Sequence, residues 1–137
     1  HLYARRQRQM CIRDRIKELS RQINPSKKTS LNLLPLNSKG ERFPVNNANL
    51  EPILYPRPVS DSLYLHALFE GLAKIELKGW EKLGELTGSL PKKIITIGGG
   101  SKNPQWRKIR EKIINIPIVS CKKTTSFGTA LLAINAK

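Results

Sequence analysis

Cysteine is almost missing from this 137-residue sequence: Cys11 and Cys121 are the only two, too few for a disulfide framework. Histidine occurs only as His1 and His66, so no His/Cys cluster has metal-ligand spacing and no metal site is expected in this chain. No apolar run approaches the ~18 residues a membrane span requires, and the start lacks the apolar stretch of a secretory signal. A reducing, cytoplasmic setting with no membrane partner is the expectation. Acidic residues are also scarce, 10 against 25 Lys and Arg, for a net charge of +15. What is present is a folding composition, 39% hydrophobic and 26% charged with the charges mixed among Leu and Ile, of a length for one domain at most, or part of one.

The positive charge is unevenly placed. Residues 1–15 hold Arg5, Arg6, Arg8, Arg13 and Arg15 against a single Asp14. Without them, 20 basic and nine acidic residues remain, a net +11. The opening HLYARRQRQMCIRDR lacks an initiator Met and has little apolar periodicity. It resembles a translated sequencing-adapter sequence found at the ends of assembled environmental reads, and that resemblance implies that residues 1–15 are no part of the fold. A basic arm or transit peptide is the alternative. Beyond residue 15 the basic residues are mostly Lys dispersed among Asn and Ile, a solvated-face pattern. A nucleic-acid binder would cluster them with aromatic or glycine interleaving. A basic nucleic-acid-binding module is therefore kept as the alternative function, separable by its steep salt dependence.

Local patterns divide the chain. Ile16 to Gln22 reads as a short helical stub and Leu31 to Leu36 as a strand. Pro35, Pro44, Pro52, Pro56 and Pro58, with Gly40, then interrupt any ladder, giving an irregular crossing segment. A long helix starts at an N-cap of Ser60 or Asp61 and carries Leu65, Leu68, Leu72, Ile75, Leu83 and Leu86 as its core-facing stripe, with Gly88 as its stop. It would extend ~40 Å. Gly79 and Gly84 predict a bend or break within it. Ile94 to Ile97 is a β-branched run of the kind buried on both faces of a parallel sheet. It ends at Gly98, Gly99 and Gly100. Asn103 and Pro104 then supply an N-cap and a first-turn proline, Trp106, Ile109 and Ile113 mark a helix face, and Ile116 to Val119 forms another strand. The result is a βαβ unit with its ligand end at the glycines. Ser126 opens a last helix whose Gly128, Ala130 and Ala133 permit close packing against the sheet.

Glycines at that place let a flat or anionic ligand touch the backbone, beside the unsatisfied N–H groups of a helix start. The spacing matches neither the dinucleotide fingerprint, which needs Gly or Ala where Asn103 stands, nor the Walker motif, which needs Gly-Lys-Ser/Thr where Ser101-Lys102-Asn103 stands. By spacing alone, the turn is equally a capped strand-to-helix connection without a ligand.

The residues do carry a resemblance. ITIGGGSKNPQWRKIREKIINIPIVS followed by TTSFGTALLAI resembles the adenosine-binding end of FGGY-family carbohydrate kinases. DSLYLHALFEGLAKIE resembles the family's long helix, with Glu70 and Gly71 at its usual Glu-Gly, and GERFPVNNANLEP resembles a segment of the D-ribulose and xylulose kinases of photosynthetic lineages. Together these cover about residues 24–135. The resemblance implies that residues 16–137 are the C-terminal part of the second domain of such a kinase: an α/β, actin-like ATPase (ribonuclease H-like) domain with a mixed sheet flanked by helices. It further implies that Gly98, Gly99 and Gly100 line an adenosine pocket, that Asn103 faces the adenine as well as capping its helix, and that the γ-phosphoryl of Mg2+-bound ATP moves to a sugar hydroxyl. The partners implied are ATP, a pentulose and a missing N-terminal domain of the same chain. The catalytic aspartate and the sugar contacts would lie in that missing part, so no catalytic residue is assigned here.

Other polar residues have simpler roles. Asp61 is a helix cap; His66, Glu70 and Glu76 read as surface or locally satisfied groups; Trp106 is a core residue; Cys121, although followed by Lys122 and Lys123, is inert. Near Thr124 and Thr125 the sequence departs from the family pattern, which often has an acidic residue and Ala. Two short parallel strands cannot bury both faces or protect their edges, so the chain alone is expected to be marginally stable and catalytically silent.

Overall fold

The computed structural model describes residues 2–121, 123 and 125–135. In order these form α1 (Leu2–Arg21), α2 (Asp61–Thr87), β1 (Ile94–Thr96), α3 (Pro104–Ile114), β2 (Ile118–Ser120) and α4 (Thr125–Asn135). β1 and β2 pair in parallel, Ile94 opposite Ile118 and Thr96 opposite Ser120, with α3 as the crossover between them. The βαβ unit expected around the glycines is present, and the content is that of an α/β fold. Among the described residues the only sheet is this two-stranded parallel one, not a mixed sheet.

The caps are where residue chemistry places them. Ser60 Oγ accepts from the Leu63 N–H at 3.3 Å, which settles the N-cap of α2 on Ser60. Asp61 instead faces Arg15 at 3.4 Å and Arg57 at 3.3 Å. At the other end Gly88 takes the left-handed conformation, φ 75°, and its N–H returns to the Gly84 carbonyl, as glycine does at helix ends because it has no Cβ penalty there. Asn103 caps α3 and Asn115, φ 58°, ends it.

α2 buries a different face from the one expected. Its buried residues are His66, Ala67, Glu70, Gly71 and Ala73, while Leu72, Leu83 and Leu86 of the leucine stripe are exposed. Close approach decides this. A Cβ on Gly71 would lie 2.6 Å from the Leu33 carbonyl oxygen and 2.8 Å from Pro35 Cδ, so the crossing segment lies directly on the helix backbone there. α2 is also one continuous helix. The glycines expected to bend it admit neighbours instead: the Phe43 ring occupies the Cβ position of Gly79, and Leu90 approaches Gly84.

Elsewhere the elements differ in extent. α1 begins long before the stub expected at Ile16–Gln22, since its Ala, Arg, Gln and Met are good helix formers that need no apolar stripe. Its first buried side chain among those described is Ser20, followed by Ile23 just beyond the helix. The strand expected at Leu31–Leu36 reduces to one antiparallel bridge, Leu34 to Ile53, because Pro35 has no N–H to extend a ladder. Pro117 likewise delays β2, leaving Ile116 buried but outside the ladder. Ile94 and Ile118 join Ile114 and Ile116 in one apolar cluster, with Leu77 and Trp80 against it. Ile95 and Val119, on the other face, are 59% and 43% exposed, so the strands are buried on one face rather than both. α4 does not pack closely on the described residues either: none lies within 4 Å of a Cβ on Gly128, and Leu131, Leu132 and Ile134 are exposed.

A second cluster joins Ile23, Ala73 and Ile109, with Leu65, Phe69, Trp106 and Ile113 against it. It holds the chain just beyond α1 against α2 and α3 and packs the helix that follows the glycine turn.

Replacing Gly71 by Ala puts a methyl against backbone that cannot rotate away. The variant is expected to lose about 1–3 kcal/mol of stability, as overpacked sites do, measured by urea denaturation; an unchanged midpoint would show that the crossing segment yields freely.

Candidate functional site

β1 ends at Thr96, and the chain leaves it through Ile97 into Gly98, Gly99 and Gly100. Gly98 has φ +87°, a left-handed conformation that disfavours any residue with a side chain. Gly99 is different. Its backbone is ordinary right-handed helical, φ −62° and ψ −41°, and among the described residues nothing lies within 4 Å of where its Cβ would be. Neither backbone strain nor packing by the described residues requires glycine at this position. Gly100 begins a single turn of tighter helix, Gly100–Lys102, and its hydrogen faces the Trp106 indole nitrogen, which would lie 3.5 Å from an added Cβ. Ser101 Oγ donates to the Gly98 carbonyl at 2.7 Å and closes the loop.

Asn103 follows. Its Oδ1 accepts from the Trp106 N–H at 3.1 Å, the N-cap bond. Its Nδ2 donates to Ser20 Oγ at 2.9 Å, linking the start of α3 to the end of α1. A primary amide has two donors and two acceptor lone pairs, so these bonds use one of each. Both the capping role and a ligand-facing role are compatible with that valence.

The turn is held in place by a network that the sequence reading missed. Arg110 of α3, 7% exposed, donates from Nε to Glu76 Oε2 and from Nη2 to Glu76 Oε1, each at 2.6 Å. Its Nη1 donates to Thr96 Oγ1 at 3.1 Å. Its guanidinium also lies 5.4 Å from the Trp106 ring, and that ring in turn packs on Phe69 with centroids 5.1 Å apart. Trp106 is thus a core residue, as expected. The (i, i+14) spacing of Thr96 and Arg110 carries no periodic signal; only the βαβ crossover brings them together.

The mid-helix polar groups of α2 are not on the surface. Glu76 is satisfied by Arg110 and by Trp80 Nε1. Glu70 is 5% exposed and accepts from the Thr29 N–H at 3.1 and 3.2 Å and from the Thr29 hydroxyl, pinning the chain before the crossing segment. His66, also 5% exposed, places Nε2 3.6 Å from Glu70 Oε1, and that nitrogen has no hydrogen-bond partner among the described residues. Burial holds the imidazole below its ordinary pKa of 6.5, with Glu70 opposing and Lys112 reinforcing that shift.

Two apolar concavities, of about 520 and 400 Å³, run along the leucine side of α2 beneath Phe43. Neither borders the glycine turn, whose three glycines lie on the surface. Both lie between α2 and the crossing segment. Cys121 is half-buried, and its N–H donates to the Thr96 carbonyl at 2.9 Å, extending the ladder. Lys122 and Thr124 lie outside the described residues. No group of three or more metal-capable side chains occurs among the described residues, and no helix there is long and apolar enough to cross a membrane.

Residues 4–136 match the FGGY family of carbohydrate kinases, C-terminal domain. The chain belongs to this family. Kinases of the family are transferases of carbohydrate metabolism that use ATP and Mg2+. Within this FGGY chain, the Glu70-Gly71 pair has a structural explanation: the carboxylate binds Thr29, and the glycine admits the Leu33 carbonyl.

His66 sets a pH dependence. With its folded-state pKa held below the ordinary 6.5 of the unfolded chain, it makes the unfolded chain bind more protons as pH falls through that range, so its contribution to stability is full above about 6.5 and falls as pH drops through it. His66→Gln is expected to flatten the difference between urea midpoints at about pH 7.5 and about pH 5.5; an unaltered slope would assign the pH dependence to other groups.

Proposed function

We propose that this chain is the adenosine-binding part of an ATP-dependent pentulose kinase, taking D-ribulose or D-xylulose, with Gly98, Gly99, Gly100 and Asn103 against the nucleotide. Gly99 is the observation that supports this most: a glycine with ordinary φ and no described neighbour at its Cβ position is accounted for by a ligand that lies against the main chain. The residues fit an adenosine in other respects. The loop is exposed and closed by its own hydrogen bond, it opens at the carboxyl end of a parallel strand, and Asn103 retains one donor and one acceptor. When bound, ATP supplies the phosphoryl group and Mg2+ neutralises its charge. This chain's residues bind and orient the adenosine, and no metal ligand or catalytic base is assigned among them.

The pentulose reading rests on the Gly40–Pro52 segment, the crossing stretch that carries Phe43 onto Gly79. The actin-like architecture with a further N-terminal domain, and a cytoplasmic location, belong to the same proposal. So does the inactivity of these residues alone, since sugar contacts and a catalytic carboxylate would come from the other domain. Residues 1–15 stand outside the folding unit in this reading. Their described contacts to the rest are exposed ones, such as Arg15 to Asp61, and a chain lacking them should keep its stability to within about 1 kcal/mol, the range of a surface ion pair, by urea denaturation. A larger loss would make α1 a full structural member from its start.

The nucleotide reading is tested by Gly99→Ala in the complete kinase. Because the native φ suits alanine, the variant should be as stable as the parent or up to about 1 kcal/mol more so. Its KM for ATP should rise about tenfold or more, the equivalent of roughly 1.4 kcal/mol. An unchanged KM for ATP would remove the ligand from the turn. Phosphoryl transfer to neither D-ribulose nor D-xylulose would remove the pentulose assignment while leaving the kinase.

A further inference from the structure

Among the described residues, Ser20 meets the Asn103 amide side chain to side chain from outside the turn, and nothing in the sequence singled it out. It is 2% exposed, sits in the last turn of α1 and accepts from Asn103 Nδ2 across 83 positions of sequence. The opposite end of the same amide is fixed by the Trp106 N–H. A backbone N–H can only donate, so the atom it meets is Oδ1, and the nitrogen is then the atom that meets Ser20. Two bonds at opposite ends of a planar group fix its plane as well as its identity.

We propose that Ser20 is a positioning residue that locks the Asn103 amide so that it offers one acceptor and one donor to the base, and that this lock makes the site select adenine over guanine. The inference rests on the nucleotide reading given above. Its chemistry is complementarity. One edge of adenine presents an N6–H donor beside the N7 acceptor, which an asparagine amide pairs in two-point fashion; the same edge of guanine presents two acceptors, O6 and N7. An amide with one acceptor and one donor to spare matches the first and can satisfy only half of the second. Without Ser20 the amide is held at one end only, a second N–H becomes available, and the discrimination against two acceptors relaxes.

The test is equilibrium binding of ATP and of GTP, without sugar, to the complete kinase and to its Ser20→Ala and Gly99→Ala variants. Ser20→Ala removes one oxygen from a helical position that suits alanine, and a thermal melt verifies that it folds. ATP binding is expected to weaken about 3- to 10-fold, as for loss of one orienting hydrogen bond, with GTP affected less, so that the ATP-to-GTP affinity ratio falls. If Gly99→Ala weakens ATP while Ser20→Ala leaves the ratio unchanged, whether by sparing both nucleotides or by weakening both equally, Ser20 merely ties α1 to α3 and the proposal fails alone. If Gly99→Ala also leaves ATP binding unchanged, the nucleotide reading fails and this inference with it.

Discussion

The guanidinium of Arg110 is the constraint on which the rest of the arrangement depends. A buried charge without a partner is destabilising by about 3–5 kcal/mol, so once the chain places Arg110 between α2 and α3, Glu76 must face it. The two-point geometry observed, 2.6 Å on both arms, is the strong form of such a pair. The third arm then reaches Thr96, the last residue of β1, whose carbonyl also receives the Cys121 N–H. One side chain therefore sets the crossing of two helices and the point at which the first strand releases the chain into the glycines. The position of the turn is a consequence of that pairing, and the apolar clusters on either side fill the space it defines.

α2 serves this scheme by being small and polar where it touches the rest. Ala67 and Ala73 are fully buried, Gly71 admits a carbonyl, and Glu70 and Glu76 each bind an element that is distant in sequence. Leu72, Leu83 and Leu86 take the other side and stay exposed, whereas Leu65 and Leu77 pack against the core clusters. A helix that carries carboxylates inward and leucines half outward reverses the usual assignment of faces, and it is stable because every inward carboxylate has donors.

This reversal explains what could be read from the sequence and what could not. The caps were legible because Ser60, Gly88, Asn103 and Pro104 act on their own helix termini, within a turn of themselves. The βαβ order was legible because β-branched runs and a helical stripe alternate between Lys93 and Ser120. The buried face of α2 was not, since a leucine stripe at helical spacing outweighs a Glu-Gly pair unless the partner of that pair is known, and Thr29 lies 41 positions away. Arg110 was likewise one basic residue among many until the fold brought Glu76 and Thr96 to it. At the turn, the sequence placed Gly98 to Asn103 at a strand end, whereas the distinction between a glycine required by its φ and one left bare toward open space needed coordinates. Ser20 had no local signature at all.

The uncovered side of the little sheet has a colloidal meaning. Ile95 and Val119 lie there beside strand edges that are unpaired among the described residues, with Leu131, Leu132 and Ile134 of α4 also open to water, and such surfaces recruit further strands from neighbouring molecules. The excess of positive charge, +15 over the chain, opposes that by keeping copies apart, but mutual repulsion reaches only about 8 Å at physiological ionic strength. Salt, by shortening that reach, turns a dispersed preparation of these residues toward strand-to-strand association, so dilute, low-salt buffer is the medium in which the isolated chain stays monomeric longest.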